Sequence, residues 1–337
     1  MELSDLRKEP HLSASSIGDY IDCGLLYKLG RVDHLPPEFR ADTLEFGSCI
    51  HLALADFHKQ KMDGKTMTAK ELHERFERYW KAAAEGQSIQ YADGKDFKTL
   101  LMEGKELLTT YYHKCPHDQF KVISIEEPFS FTLEGCPVKL IGAFDLVEED
   151  ESGTIIVVDW KTSGRAYSAD EVDRNFQLTL YQMAAKANGH SDREILLRFD
   201  CLIKTKTPKF EQYYTSRTES DFKRAEKKIG EVWRGISNGI FIPNDSSQNW
   251  RCKNCSYKKH CDEWFEGEDN DNSDHNGGTG LPDRHLWRPD KEDIEHNGSS
   301  GEPPDRGSHS IHEESHARKR KDAEEVHPEG QDGPQIG

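Results

Sequence analysis

Asp159-Trp160-Lys161 closes the apolar run Thr154-Ile155-Ile156-Val157-Val158. A run that dense in β-branched residues predicts a buried strand. Alternate residues of a strand share a face, so the Asp159 carboxylate and the Lys161 ammonium point the same way. Either charge alone would be costly in such a strand, and together they mark a site. A second apolar strand just upstream, Leu140 to Val147, carries Asp145 on a face otherwise built of Ile141, Ala143 and Val147. The acidic turn Glu148 to Gly153 between them is short enough for a hairpin. Two carboxylates and a lysine on adjacent strands are the groups that metal-dependent phosphodiester hydrolysis requires.

The elements that must position these residues follow from hydrophobic periodicity. Ser13, Ser15 and Ser16 offer caps for a helix that runs through Ile17, Tyr20, Ile21, Leu25 and Leu26 to Gly30. Further helices are predicted over Leu44 to Lys61, Ala69 to Ala84 and Phe97 to His113. Strands follow over Lys121 to Leu133, Val138 to Glu148 and Thr154 to Thr162. Then come a helix over Ser168 to Asn188, strands over Glu194 to Lys204 and Lys209 to Ser216, and a helix over Glu219 to Ser237. Helices, meander, helix, strand, helix is the order of an α/β or α+β layer fold. No internal repeat is visible.

The chain has 337 residues and a formal net charge of −17. From Glu266 onward there are 19 acidic against 8 basic residues, a net of −11, which leaves −6 for residues 1–265. That last segment is poor in aliphatic side chains and dense in Gly, Pro, Ser and charge, so it is expected to be a disordered acidic tail. Its patch Arg318-Lys319-Arg320-Lys321 is a solvated charge run or a nucleic-acid contact. The mildly acidic body excludes a binder that grips nucleic acid by net charge, but not a nuclease whose acidic site is neutralised by metal. No apolar run approaches a membrane span and the N-terminus lacks an apolar signal core, so a soluble intracellular protein is expected. In such a protein eight cysteines are thiols or metal ligands rather than disulfides.

The acid on one strand, Asp-x-Lys on the next, then helix and strand, resembles the PD-(D/E)XK nuclease superfamily with its restriction-endonuclease-like core. More narrowly the chain is similar to RecB-type nucleases: the nuclease domains of RecB and AddB and the CRISPR-associated RecB-like exonuclease. The resemblance spans about residues 12–261. Gly47-Ser48-Cys49-Ile50-His51 matches the family's helix-borne histidine, and Gln177-Leu178-Thr179-Leu180-Tyr181 its Gln-x-x-x-Tyr. The resemblance implies an α/β fold, one nuclease domain over residues 1–265, and Mg2+ or Mn2+ held by Asp145, Asp159 and His51. Lys161 would position the attacking water or stabilise charge on the phosphate. Gln177 and Tyr181, one helical turn apart, would contact the backbone or the lysine. The implied activity is that of a metal-dependent deoxyribonuclease, an exonuclease on single-stranded or frayed ends, in recombination, repair, phage DNA processing or CRISPR adaptation. The alternative is a DNA-binding or adaptor module of the same fold, working with a helicase or integrase partner.

Cys252-Lys253-Asn254-Cys255, with Cys261 beyond it, has the spacing of thiolates sharing one metal centre. By resemblance, Cys23 is the distant fourth ligand, preceded by Ser13-Ala14-Ser15 and Tyr20 as in iron–sulfur members of the family. The implied cofactor is a [4Fe–4S] cluster on Cys23, Cys252, Cys255 and Cys261; the alternative is Zn2+ on the same thiolates, or with His260 in place of Cys23. The sequence departs from the family in having Gly24, not proline, after the first cysteine. Cys49, Cys115, Cys136 and Cys201 lack such partners and are expected to be buried. Candidate phosphate contacts are Lys139, Arg198, Lys204, Lys206, Lys209 and Arg217, although each is also an ordinary surface charge.

Overall fold

The structure, a computed structural model, describes residues 2–86, 88–115, 119–246 and 249–267. The acidic tail expected over residues 266–337 lies outside these from residue 268 onward. A short helix α1 (Leu3–Leu6) leads to strand β1 (His11–Leu12), helix α2 (Ala14–Asp22) and helix α3 (Gly24–Tyr27). Strand β2 (Arg40–Ala41), helices α4 (Asp42–Met62) and α5 (Ala69–Gly86), strand β3 (Ile89–Gln90) and helix α6 (Phe97–Lys114) follow. The meander is β4 (Lys121–Leu133), β5 (Cys136–Glu149) and β6 (Ile155–Ser163). Helices α7 (Ala169–Asp173) and α8 (Phe176–Ala185) lead to β7 (Ile195–Ile203), β8 (Lys209–Thr215) and α9 (Glu219–Ser237), then α10 (Trp250–Lys253) and α11 (Lys258–Gly267).

The main sheet runs β1-β5-β6-β7-β8, with β4 on the other edge of β5. β4, β5 and β6 pair antiparallel, as hairpins must, whereas β6 and β7 pair parallel and therefore need the α7–α8 crossover between them. Helices cover both faces. On one, α2, α8 and α9 contribute Ile17, Leu178, Leu180 and Ile229 to a core that includes Val157 and Phe199. On the other, α4, α5 and α6 bring Ile50, Leu54, Phe76 and Leu107 against Val158, Trp160 and Leu202. The central strands are buried on both sides, which is why β6 reads as a continuous apolar run rather than an alternating one.

The β5–β6 ladder stops at Leu146↔Val158, and toward its own N-terminus β5 pairs instead with β1, at His11↔Lys139 and Leu12↔Leu140. The sheet thus forks immediately beyond Leu146, and the next residues in register are Asp145 and Asp159.

Two expected helices are broken. The span 13–30 divides at Cys23, whose extended backbone (φ −163°, ψ 110°) ends α2 and caps α3. The span 168–188 divides at Asn175, whose side chain accepts from the Leu178 N–H and so starts a new helix. Gly189, with φ +104°, closes the turn after α8. Among the described residues, no helix is long and apolar enough to cross a membrane.

Candidate active site

Asp145 and Asp159 face one another at the fork, almost completely buried. The Asp145 Oδ2 accepts the Trp160 N–H at 2.9 Å, so its carboxylate is fixed by the neighbouring strand's backbone. The Asp159 Oδ2 lies 2.5 Å from the Lys161 ammonium, and its Oδ1 has no hydrogen-bond partner. Lys161 donates to Gln177 Oε1 at 2.8 Å, and Gln177 Nε2 donates to the Tyr181 hydroxyl at 3.0 Å. The lysine is therefore held at the end of a side-chain chain that begins on α8. Its Nζ also stands 5.2 Å from the centre of the Phe199 ring, a favourable cation–π position.

His51 arrives from the opposite helical layer. Its Nδ1 is 3.4 Å from Asp145 Oδ2, and its ring meets the Trp160 indole edge-on. The site thus lies between the two helical layers, with strands supplying the acids and the lysine and one helix from each layer supplying the rest. Burial drives the electrostatics. Desolvation raises the carboxyls of both Asp145 and Asp159, Asp145's charge raises Asp159 further, and Lys161 opposes both effects. Burial depresses His51 to about 4, so its imidazole is neutral at pH 7, the form that binds a cation. The Tyr181 hydroxyl is raised well above its ordinary range, first by burial and then by the two acids.

One more acid belongs to this place, and the sequence did not distinguish it. Glu126 on β4 has a left-handed backbone, φ +51°. Its Oε1 is buried without a hydrogen-bond partner, and burial together with the charge of Asp145 pushes its carboxyl up to about 9. Neighbouring Glu127 is exposed and takes the Ser124 hydroxyl. The sequence signal, two adjacent glutamates in a strand, cannot tell which one turns inward.

The cysteines gather at a second place. Cys23 Sγ accepts the N–H groups of Leu26 and Asn244, each at 3.4 Å. Cys252 stands in α10, Cys255 in the turn after it and Cys261 in α11. Burial, followed by the charges of Cys23, Cys255, Asp262 and Cys252, raises the Cys261 thiol to about 11. The Cys255 thiol is raised by burial and then by Cys23 and Cys252. Cys261 and Cys255 therefore both feel Cys23 and Cys252. The Gly24 departure has a steric reason: a Cβ there would stand 2.6 Å from the Ile242 nitrogen. The Gly24 N–H also donates to the Ile242 carbonyl at 2.9 Å, a bond that proline cannot make. His260 Nδ1 lies 3.4 Å from Glu263 Oε2. Cys49, Cys115, Cys136 and Cys201 are buried, and all eight cysteines are free thiols. Among the described residues, no set of three or more His, Cys, Asp or Glu side chains is already arranged as the ligands of an ion.

Two of the candidate phosphate contacts are corrected. Arg198 is 2 % exposed, with its guanidinium bonded to Asp200 at 2.7 and 3.0 Å and to Glu148 at 2.9 Å. Arg217 is also buried and donates to the carbonyls of Val172 and Asn175 and to the hydroxyls of Thr179 and Thr215. Both are committed to internal acceptors, because a buried guanidinium must satisfy its donors. Lys139 pairs with Glu9 at 2.7 Å on the surface. Lys204 is half-buried over the Phe46 ring, and Lys206 and Lys209 are exposed.

The crystal structure of a Eubacterium rectale protein described as an exonuclease candidate aligns with a TM-score of 0.47 and 10 % identity, over 75 % of this chain and 90 % of that one. The crystal structure of SSO0001 aligns with a TM-score of 0.31 and 14 % identity, over 73 % of this chain and 92 % of that one. No curated protein matches the sequence. The sequence signature of the PD-(D/E)XK nuclease superfamily matches residues 11–262, from β1 to α11, and this chain belongs to that superfamily.

Proposed function

We propose that the protein is a metal-dependent deoxyribonuclease, an exonuclease acting on single-stranded or frayed DNA ends. The observation that carries this reading is the fork: Asp145 and Asp159 meet there, with the free Asp159 Oδ1 beside a lysine already oriented by Gln177 and Tyr181. Nucleases of the superfamily typically use Mg2+ or Mn2+. The residues present fit such an ion, since hard carboxylate oxygens, one of them unpartnered, suit it and neutral His51 adds a nitrogen ligand. Asp145, Asp159 and His51 would hold it; when bound, it supplies phosphate polarisation and a more acidic water.

The chain's own groups account for the rest of the chemistry. Lys161 donates hydrogen bonds to the attacking water or to the phosphate oxygens, where negative charge grows as the new P–O bond forms and the old one breaks. Gln177 fixes the ammonium's direction, and Tyr181 fixes Gln177. A DNA-binding adaptor of the same fold would have no chemical use for this chain of bonds. Digestion of 5′- and 3′-labelled single- and double-stranded DNA with each metal tests the reading; absence of metal-dependent cleavage on every substrate would overturn it.

The four cysteines Cys23, Cys252, Cys255 and Cys261 support a bound metal centre, read as a [4Fe–4S] cluster, with Zn2+ on the same thiolates as the second reading. Cys261 feels the charges of Cys23, Cys255 and Cys252, so a fourth cysteine is at hand without a histidine, and the Leu26 and Asn244 N–H groups already point at Cys23 Sγ. Such a cluster would join the N-terminal helices to the last described segment. Cys255→Ser is expected to lose iron and sulfide and to lower the melting temperature; retention of both disproves the cluster. A helicase or integrase partner would be sought by co-purification.

A further inference from the structure

Glu126 occupies its position at a cost that its packing does not repay. Left-handed backbone inside a strand is glycine's or asparagine's conformation, and a glutamate held in it is strained. The pairs Ile125↔Leu146 and Glu127↔Phe144 bracket it, so Glu126 stands opposite Asp145 across the β4–β5 ladder. Residues opposed in this way carry Cβ atoms about 5 Å apart. At this pair both strands change the core they serve. Ile125 and Leu146 pack with the α4–α6 layer, whereas Phe129 and Phe144 pack with the α8–α9 layer. A bend of this kind accounts for the backbone without any shift of register at Glu126. It does not explain the side chain, because glycine would make the same bend without strain. The carboxylate is instead turned to a place where its Oε1 finds neither water nor a hydrogen-bond donor. Asp145 and Asp159 repel its charge, and Lys59 on α4 attracts it.

We propose that Glu126 is a third carboxylate ligand of the cation site, completing the set formed by Asp145, Asp159 and His51. The inference rests on the nuclease reading above and extends it to a residue outside the Asp…Asp-x-Lys pattern. A cation would stabilise the features that are unfavourable without it: the unpartnered oxygens of Glu126 and Asp159, and three acids on neighbouring strand positions.

The test is a titration of the purified full-length protein with Mn2+, read by the electron paramagnetic resonance of the free ion, with no DNA present. Glu126→Gln, which keeps the shape and removes the charge, is expected to weaken Mn2+ binding ten- to a hundredfold, the range seen when metal-site partners are removed. Glu126→Gly relieves the backbone strain, so it is expected to fold at least as stably as the wild type while binding Mn2+ equally weakly. Asp159→Ala is expected to abolish binding at this site. If Asp159→Ala loses Mn2+ while Glu126→Gln and Glu126→Gly bind within twofold of the wild type, Glu126 is not a ligand and the nuclease reading stands. If Asp159→Ala also binds as the wild type does, the cation site itself is misassigned and both readings fall.

Discussion

On the face of the sheet turned toward α4 and α6, Arg198 lies between Asp200 and Glu148. Gln212 adds a further hydrogen bond to Asp200 at 2.9 Å. At the fork, farther along β5, Asp145, Asp159 and Glu126 meet one paired lysine, Lys161, with Lys59 acting on Glu126, and two of the three acids keep an oxygen without a partner. Both clusters are deeply buried, and both consist of two or more acids with one paired base. One is balanced within the chain and holds its own geometry. The other is short of positive charge and of donors, which is the condition of a place built to receive something. A buried charge is thus not informative by itself; whether its neighbours complete it separates architecture from chemistry.

The difference can be broken most severely at Asp159. Asp159→Ala or Lys161→Ala is expected to lower the cleavage rate per folded molecule by about 10²–10³-fold or more, with the fold retained. A rate unchanged in either variant would erase the functional half of the contrast. Arg198→Met should act in the opposite sense, because it leaves Asp200 and Glu148 buried without their base. A stability loss of about 3–5 kcal/mol is expected in chemical denaturation, with activity per folded molecule retained. If that variant folds normally and loses cleavage instead, the balanced cluster is part of the site.

A smaller effect follows from titration. Asp145 and Asp159 are raised to about 6, so the folded, metal-free protein keeps protons that the unfolded chain releases near pH 4. Their contribution favours folding fully below about pH 4 and is lost as pH rises through about 6. His51 is depressed to about 4 and acts in the reverse direction: its contribution is present above about pH 6.5 and is lost as pH falls through about 4. Comparing His51→Gln with the double variant His51→Gln/Asp145→Asn isolates the acid. The single variant should lose on the order of 2 kcal/mol relative to the double between pH 4 and 7 without metal. A pH-independent difference would mean that Asp145 is not held in its protonated form. The smallest effect is expected at Lys139–Glu9, a close pair on the surface. Lys139→Ala should cost no more than about 1 kcal/mol, because water completes exposed charges.

The acids and lysine of the central strands were readable because β6 is apolar on both faces, and Asp159 and Lys161 interrupt it with a two-residue period. Gln177 and Tyr181 were readable for the same reason in a helix, since one turn separates them. Glu126 was not, because nothing in a sequence prints a backbone dihedral angle and Glu127 beside it is chemically identical. Arg198 and Arg217 looked like surface charges because part of their acceptor sets lies in distant elements, Glu148 on β5 for Arg198 and the Val172 and Asn175 carbonyls for Arg217, although Asp200 and Thr215 stand two residues away along the chain. β1 escaped because two residues are too few to carry a period, although it occupies the edge of β5 that makes the fork. The helix breaks at Cys23 and Asn175 come from single side chains accepting backbone N–H groups, a local choice that apolar spacing does not record.

The contact between Gly24 and Ile242 also bears on the order in which the molecule assembles. β4–β5 and β5–β6 are hairpins whose partners lie close along the chain, so their pairing requires little loop closure. Residues 23–24 wait for a segment more than two hundred positions away, and such non-local contacts form slowly. The N-terminal helices are therefore expected to complete their packing after the sheet has formed. On the ribosome, a chain that ends before Ile242 would already contain the acids, the lysine and the sheet that carries them, but would lack the strap that Gly24 was left bare to receive.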